Sequence, residues 1–396
     1  MLSSIHADRT GHLYVDPDHA AAGLDGTDAR PLHEVVPLPD GARLVPLPRA
    51  AMGFGRNGRA RELGSGRLAV GAVLPRGWVR LLTPSYADDP NAADLERLPY
   101  CAVADESGAV VVAARAVDPA APTAESGDRA AGHAGPANSL VRQLARCARD
   151  NACESVRAST GHGDLPVPLG APAAERARAP VALRSGYPGS PVEAAAFRPS
   201  AEEIADLAID HLDRGGAGLS FGRACDGEPL ARVAVIEGAL ELVRARTAGG
   251  TVHLETSGSD PVALRRAIEA GVTSVTVRMG AATPGTYELL HGPISHRWAD
   301  VRASARLASE RGVALTIALL LLPGLTDRAG EIDALAAFLG ELAGGRVELR
   351  DLGADPVRAI AAFPRVAASG MDRLLARLAE ADHFTLAMRS RAPAVR

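Results

Sequence analysis

The stretch Ala217-Gly-Leu-Ser-Phe-Gly-Arg-Ala-Cys-Asp-Gly-Glu-Pro-Leu230 decides the fold. Ala217 to Phe221 form a short apolar run, Gly222 and Gly227 break the chain, and Pro229 opens an amphipathic pattern that continues to Arg246. A strand that passes through a glycine-punctuated loop into a helix is one βα unit. The same texture recurs on both sides. Strands are predicted at Leu165 to Leu169, Ala217 to Phe221, Thr251 to Glu255, Ser274 to Met279, Ala314 to Leu320 and Arg346 to Arg350. Helices fill the intervals at Ser200 to Arg214, Pro229 to Arg246, Pro261 to Ala270, Arg297 to Arg311 and Asp327 to Ala343. Ser200 with Glu203 three residues on reads as a capping box, and Asp260 precedes a proline at a first helical position. Six βα repeats imply a parallel sheet, and about six such strands curl into a partial barrel whose active face lies at their C-terminal ends.

Upstream the texture differs. Val45 to Leu47, Arg67 to Leu74, Trp78 to Leu82, Tyr100 to Val103 and Val110 to Val117 are short apolar runs separated by Pro and Gly, a β-rich pattern. The expected organisation is an N-terminal β-rich domain over 1–118, an Ala/Gly/Pro-rich linker over 119–138, a helical connector over 139–164 and the barrel with C-terminal helices over 165–396. Gly53-Phe-Gly55-Arg-Asn-Gly58 matches GxGxxG, but no clear strand precedes it and no amphipathic helix opens behind it, so it reads as a glycine-rich hairpin turn.

The composition narrows the chemistry. Of 396 residues, 47% are hydrophobic and 23% charged, enough for a sizeable core. Aromatics at 3% and a net charge of -4 argue against a nucleic-acid surface or an anionic-membrane footprint, leaving a small-molecule ligand or a protein partner. No lysine occurs anywhere. Schiff-base aldolases, pyridoxal-phosphate enzymes and Walker A ATPases need that amine, and arginine cannot replace it as a nucleophile. Met1 to His12 lack a basic start and an apolar core, and the longest apolar run, Val313 to Leu322, is about half a membrane span, so a cytoplasmic location is expected. Cys147 and Cys153 are six apart and do not share a helical face, while His291 and His296 flank a Gly-Pro step, so no metal site is predicted.

Five segments carry a resemblance: SFGRACDGEPL, TVHLETSGS, SVTVRMGAATPGTYE, LLLLPGLTDR and VELRDLGADP. Together they resemble an uncharacterised bacterial group of the radical S-adenosylmethionine (SAM) superfamily. The likeness extends upstream through GHLYVDP, VPLPDGARLVPLP and LVRQLARCARDNAC. It implies a partial (βα)6 TIM barrel and a GEP-type turn, here Gly227, Glu228 and Pro229, that holds the amino group of SAM. It also implies a CxxxCxxC loop after the first strand that binds a [4Fe-4S] cluster. Here the chain departs from the family, because Ala173, Ala177 and Pro180 align with the three cysteines and only Glu175 offers a hard carboxylate. Iron–sulfur clusters require thiolates or, less often, histidine. The family's Thr-Asn after the third strand is Thr256-Ser257, and its Ser-Leu-Asn after the fourth is Arg278-Met279-Gly280. Arg278 would either fill part of a SAM pocket or meet a substrate anion.

The resulting expectation is a degenerate member without its cluster, acting as a ligand- or partner-binding pseudoenzyme, with SAM binding left open at Gly227, Glu228, Pro229, Thr256, Ser257 and Arg278. Two alternatives stand beside it. One is an active radical SAM enzyme with a cluster on Cys147, Cys153 and Cys225. The other is a cluster-independent barrel isomerase or lyase, using Asp226, Glu228, Glu255 and Asp351 as acid and base and Arg278 and Arg350 as anion holders.

Overall fold

The computed structural model describes residues 2–87, 89, 91, 92, 95, 99–118, 139–142, 164–171, 198–222, 227–291, 295–351, 356–361 and 363–389. The linker, most of the helical connector, the segment aligned with the cluster loop, and Cys147, Cys153, Cys225 and Asp226 lie outside them.

A seven-stranded parallel sheet forms the second half, its strands in sequential order: Asp164–Val167, Gly218–Phe221, Thr251–Thr256, Ser274–Gly280, Ala314–Leu321, Gly345–Asp351 and Phe384–Arg389. Six match the runs expected from sequence to within about two residues. The seventh corrects the count of six. Phe384–Arg389 is short and ends in arginine, and no predicted helix follows it to mark a βα unit. The helices Ala201–Asp213, Val233–Arg244, Pro261–Glu269, Trp298–Glu310 and Ala329–Leu339 alternate with the strands as expected, and Pro284–His291, Pro356–Ala361 and Met371–Ala379 are additional. Ser200 and Glu203 form the anticipated capping box, and Asp260 accepts from the amides of Val262 and Ala263.

Residues paired across this sheet point to the same side, so its register defines two faces. One carries Leu219, Phe221, Val252, Leu254, Val275, Val277, Ile317, Leu319, Val347 and Leu349, all buried in the main hydrophobic core with the apolar sides of the helices. The opposite face carries Ser220, His253, Glu255, Thr276, Arg278, Glu348 and Arg350. Parallel strands in α/β proteins are usually apolar on both sides, so charges at alternate positions mark this second face as the one with a special role.

The first half is β-rich, as read from sequence. An 11-stranded antiparallel sheet is joined by a two-stranded pair of Trp78–Arg80 with Ala114–Ala116. Its longest strand, Leu13–Asp25, was not expected, because LYVDPDHAAAGLD combines acidic residues, proline and alanine with little intrinsic strand preference. Cross-strand pairing with Ser3–Ala7 supplies what propensity lacks. The GxGxxG stretch is the predicted hairpin: Met52–Phe54 pairs with Ala60–Glu62, and the Gly58 amide donates to Gly55 O at 2.9 Å. Among the described residues no helix is long and apolar enough to cross a membrane.

Candidate functional site: a buried ion ladder at the strand ends

The loop after the second strand returns at Gly227, and Glu228 caps a 3-10 turn over Pro229–Arg232 before the following helix. This places the Glu228 carboxylate against the ends of the third and fourth strands. Leu230 N donates to Glu228 Oε1 at 3.2 Å, and Thr256 Oγ1 donates to the same oxygen over a short distance. Oε2 accepts from Ser257 N at 2.8 Å, Ser257 Oγ at 2.7 Å and Arg278 Nη2 at 3.4 Å. A carboxylate has about four lone-pair sites, so five donors from its own chain occupy it fully. Glu228 is only 2% exposed.

Arg278 extends the contact into a ladder. Its Nη1 donates to Gly222 O at 3.3 Å and lies 3.8 Å from Glu255 Oε1. Glu255 in turn accepts a bidentate pair from Arg350, at 2.9 Å to Oε1 and 3.2 Å to Oε2, and Arg350 Nε reaches Glu348 Oε1 at 2.6 Å. Charges therefore alternate from Glu228 through Arg278, Glu255 and Arg350 to Glu348. Glu228, Arg278, Glu255 and Arg350 are buried, while the Glu348 side chain retains 17% exposure. Such burial is tolerable only because each charge meets its opposite with directed hydrogen bonds. Gly222 makes the approach feasible. It sits at φ +75°, and a Cβ there would come 1.9 Å from Glu255 O. Nearby, Thr256 Oγ1 accepts from Gly258 N at 2.9 Å, and Ser304 Oγ fixes Gly258 O at 2.9 Å. The turn that aims Ser257 is thus anchored to helix Trp298–Glu310.

The six site residues named from sequence divide accordingly. Glu228, Thr256, Ser257 and Arg278 meet in one buried cluster, with Gly227 and Pro229 framing the turn. Glu255 and Arg350 join it as a structural ion pair, which tells against their free use as acid and anion holder. Asp351 does not join: it closes the sixth strand on the apolar-face register and meets Arg80 of the β-rich region at 3.7 Å, where burial pushes its carboxyl up to about 6. His291 and His296 pack on Tyr287, whose Oη is 2.7 Å from His296 Nε2. Among the described residues no group of three or more His, Cys, Asp or Glu side chains could hold a metal ion. Sequence reasoning missed His253, which bridges Ser274 Oγ at 2.8 Å and Thr276 Oγ1 at 3.2 Å. Its signal was the repeated polar alternation in VHLE, VTVR and VELR.

A sequential parallel βα sheet with a polar cluster at its strand ends defines an α/β protein with its candidate site at the C-terminal edge of the sheet. Residues 186–338 match the model of the radical SAM superfamily, and this stretch is a radical SAM domain. That match begins beyond Pro180. A search of curated proteins returns no match. Among solved structures, a radical SAM methyltransferase from Sphaerobacter thermophilus is 20% identical, with 49% of this chain and 59% of that one covered at a TM-score of 0.36. The methyltransferase TsrM from Kitasatospora setae, solved with cobalamin and a [4Fe-4S] cluster, is 18% identical over 38% of this chain and 31% of its own, at 0.32. The hydrogenase maturase HydG from Carboxydothermus hydrogenoformans is 14% identical over 63% and 67%, at 0.36. The match therefore spans less than two thirds of the first two structures.

Proposed function

We propose that this chain is a radical SAM-type protein without the [4Fe-4S] cluster, a ligand- or partner-binding pseudoenzyme built on a partial (βα)6 barrel extended by a seventh strand. The observation that carries this reading is the closed Glu228 carboxylate. In the resemblance drawn from sequence, that carboxylate turn would hold the amino group of SAM. Here five hydrogen bonds from Leu230, Thr256, Ser257 and Arg278 use its acceptor capacity, and Arg278 already supplies the positive charge. An incoming ammonium group would have to displace a buried guanidinium from one of its two carboxylates, at a cost of several kcal/mol. The residues do not fit SAM in that mode.

The sequence supports the same conclusion for the cluster. No cysteine lies between Cys153 and Cys225, and alanine and proline stand at the aligned ligand positions. Methyl groups and a pyrrolidine ring offer iron no donor. A ligand that engages this sheet face would have to be polar or charged, since an apolar one would strand Arg350, Glu348 and His253 without water. The domain limits expected from sequence, a cytoplasmic location, and the absence of nucleic-acid and membrane partners belong to this same reading.

The test is anaerobic reconstitution of the purified chain with iron and sulfide, followed by reductant and SAM. The proposal expects no 5'-deoxyadenosine and no saturable SAM uptake in equilibrium dialysis. Stoichiometric release of 5'-deoxyadenosine would overturn it.

A further inference from the structure

At one edge of their shared hydrophobic core, the β-rich half and the parallel-sheet half meet through two backbones and two acids. The turn from Leu13–Asp25 into Asp28–Pro31 presses on the loop that follows the fifth parallel strand. A Cβ on Gly324 would lie 2.7 Å from Gly26 Cα, and both glycines have positive φ, +86° and +63°. Contact this close leaves room for no side chain. Beside it, Asp25 and Asp327 are buried, and Asp25 Oδ1 and Asp327 Oδ2 have no hydrogen-bond partner. Two ionised carboxylates only accept, so buried oxygens without donors on adjoining loops favour a retained proton.

The surroundings favour that proton. Asp25 Oδ2 pairs with Arg30 at 3.0 Å, while Asp28 on the same turn and Asp372 on helix Met371–Ala379 add negative charge. Asp327 Oδ1 accepts from Gly324 N at 2.7 Å, and Arg328 and Glu331 of the following segment complete the charged neighbours. Asp25 lines two cavities, of about 270 Å³ and about 170 Å³. A second bridge, Arg80 to Asp351, lies at the end of the sixth strand. Both contacts therefore lie at the C-terminal edge of the sheet, where barrel folds of this kind assemble their ligand sites.

We propose that the N-terminal β-rich region is a proton-controlled cap on that edge, held down while Asp25 and Asp327 share a proton and loosened when the proton leaves. The inference stands whether or not the chain has lost its cluster. Burial, with the charge of Asp25, pushes Asp327 up to about 7, so release falls near neutrality. A carboxyl raised by docking stabilises the docked state below its free value and loses that contribution as pH rises through the docked one.

The experiment is hydrogen–deuterium exchange on the full chain at pH 6 and pH 8, each corrected for intrinsic exchange. Peptides covering residues 23–31 and 322–327 are followed, with the core strand 274–280 as internal reference. Protection in both segments is expected to fall about tenfold or more at pH 8 while the reference holds. Asp327→Asn, whose amide donates without a titrating proton, keeps its protection at pH 8. If that variant does not fold, Asp25→Asn offers the same donor from the other side. Unchanged protection in the natural chain, or an equal fall in the folded variant, would overturn the proposal.

Discussion

Replacing Arg278 with methionine isolates the ladder's central cation at nearly constant volume. Arg278 is 4% exposed and stands between Glu228 at 3.4 Å and Glu255 at 3.8 Å. Its removal leaves Glu228 without its cationic partner and Glu255 dependent on Arg350 alone. Removing one partner of a buried pair costs about 3–5 kcal/mol, because the remaining charge is uncompensated. For a cooperative unit the size of the parallel-sheet half this corresponds to a fall of roughly 6–20 °C in Tm. The assay is guanidinium unfolding of Arg278→Met, Glu228→Gln and the double variant. Neutralising Glu228 in the Arg278→Met background removes the stranded charge, so the double variant is expected to be more stable than additivity predicts, by about 2 kcal/mol. An Arg278→Met protein within about 1 kcal/mol of the natural chain, or a strictly additive cycle, would refute the ladder as a buried structural element.

Three further outcomes follow from the same geometry. Burial raises Asp327 to about 7 and Asp351 to about 6, so both contribute stability at low pH that is lost as pH rises through those values. His6, held below its usual value by burial, acts in the opposite sense at the lower end of this window, so the comparison is best made between natural and variant chains. Between pH 5 and 8 the Asp327→Asn, Asp351→Asn double variant should show a flatter unfolding midpoint, and an unchanged slope would count against the assignment. Cys101 is fully buried with its thiol pushed up to about 12, so a thiol reagent at pH 8 should modify it only after unfolding; rapid labelling in the folded chain would contradict its packing. Gly324→Ala places a methyl group 2.7 Å from Gly26 Cα at φ +86° and should destabilise by about 2 kcal/mol or more in denaturant melts, whereas a neutral effect would mean that the two backbones are not in contact.

Much of the parallel half was legible because its information is local. Apolar runs, the Ser200 cap and the Asp260-Pro261 start each set an element without help from distant residues. The segment Ser220 to Leu230 also singled out Glu228, which sits in a buried cluster with Thr256, Ser257 and Arg278. Its state was not legible, because engagement depends on Thr256, Ser257 and Arg278 arriving from other strands. The strand Leu13–Asp25 escaped notice for a related reason, since its stability comes from pairing with Ser3–Ala7 rather than from composition. Asp351 looked like an acid at a strand end and proved to face Arg80, a residue 271 positions away whose approach no periodicity encodes. Asp25, which had no reading from sequence, and Asp327, read only as a helix start, acquire meaning once Gly26 and Gly324 bring their loops together.

The central claim is that this radical SAM domain works without its cluster, and the content of iron and acid-labile sulfide per chain after anaerobic reconstitution tests it most directly. The account predicts values near zero and no charge-transfer absorption in the visible. About four of each per chain would mean that cysteines elsewhere had built a cluster, and would contradict it.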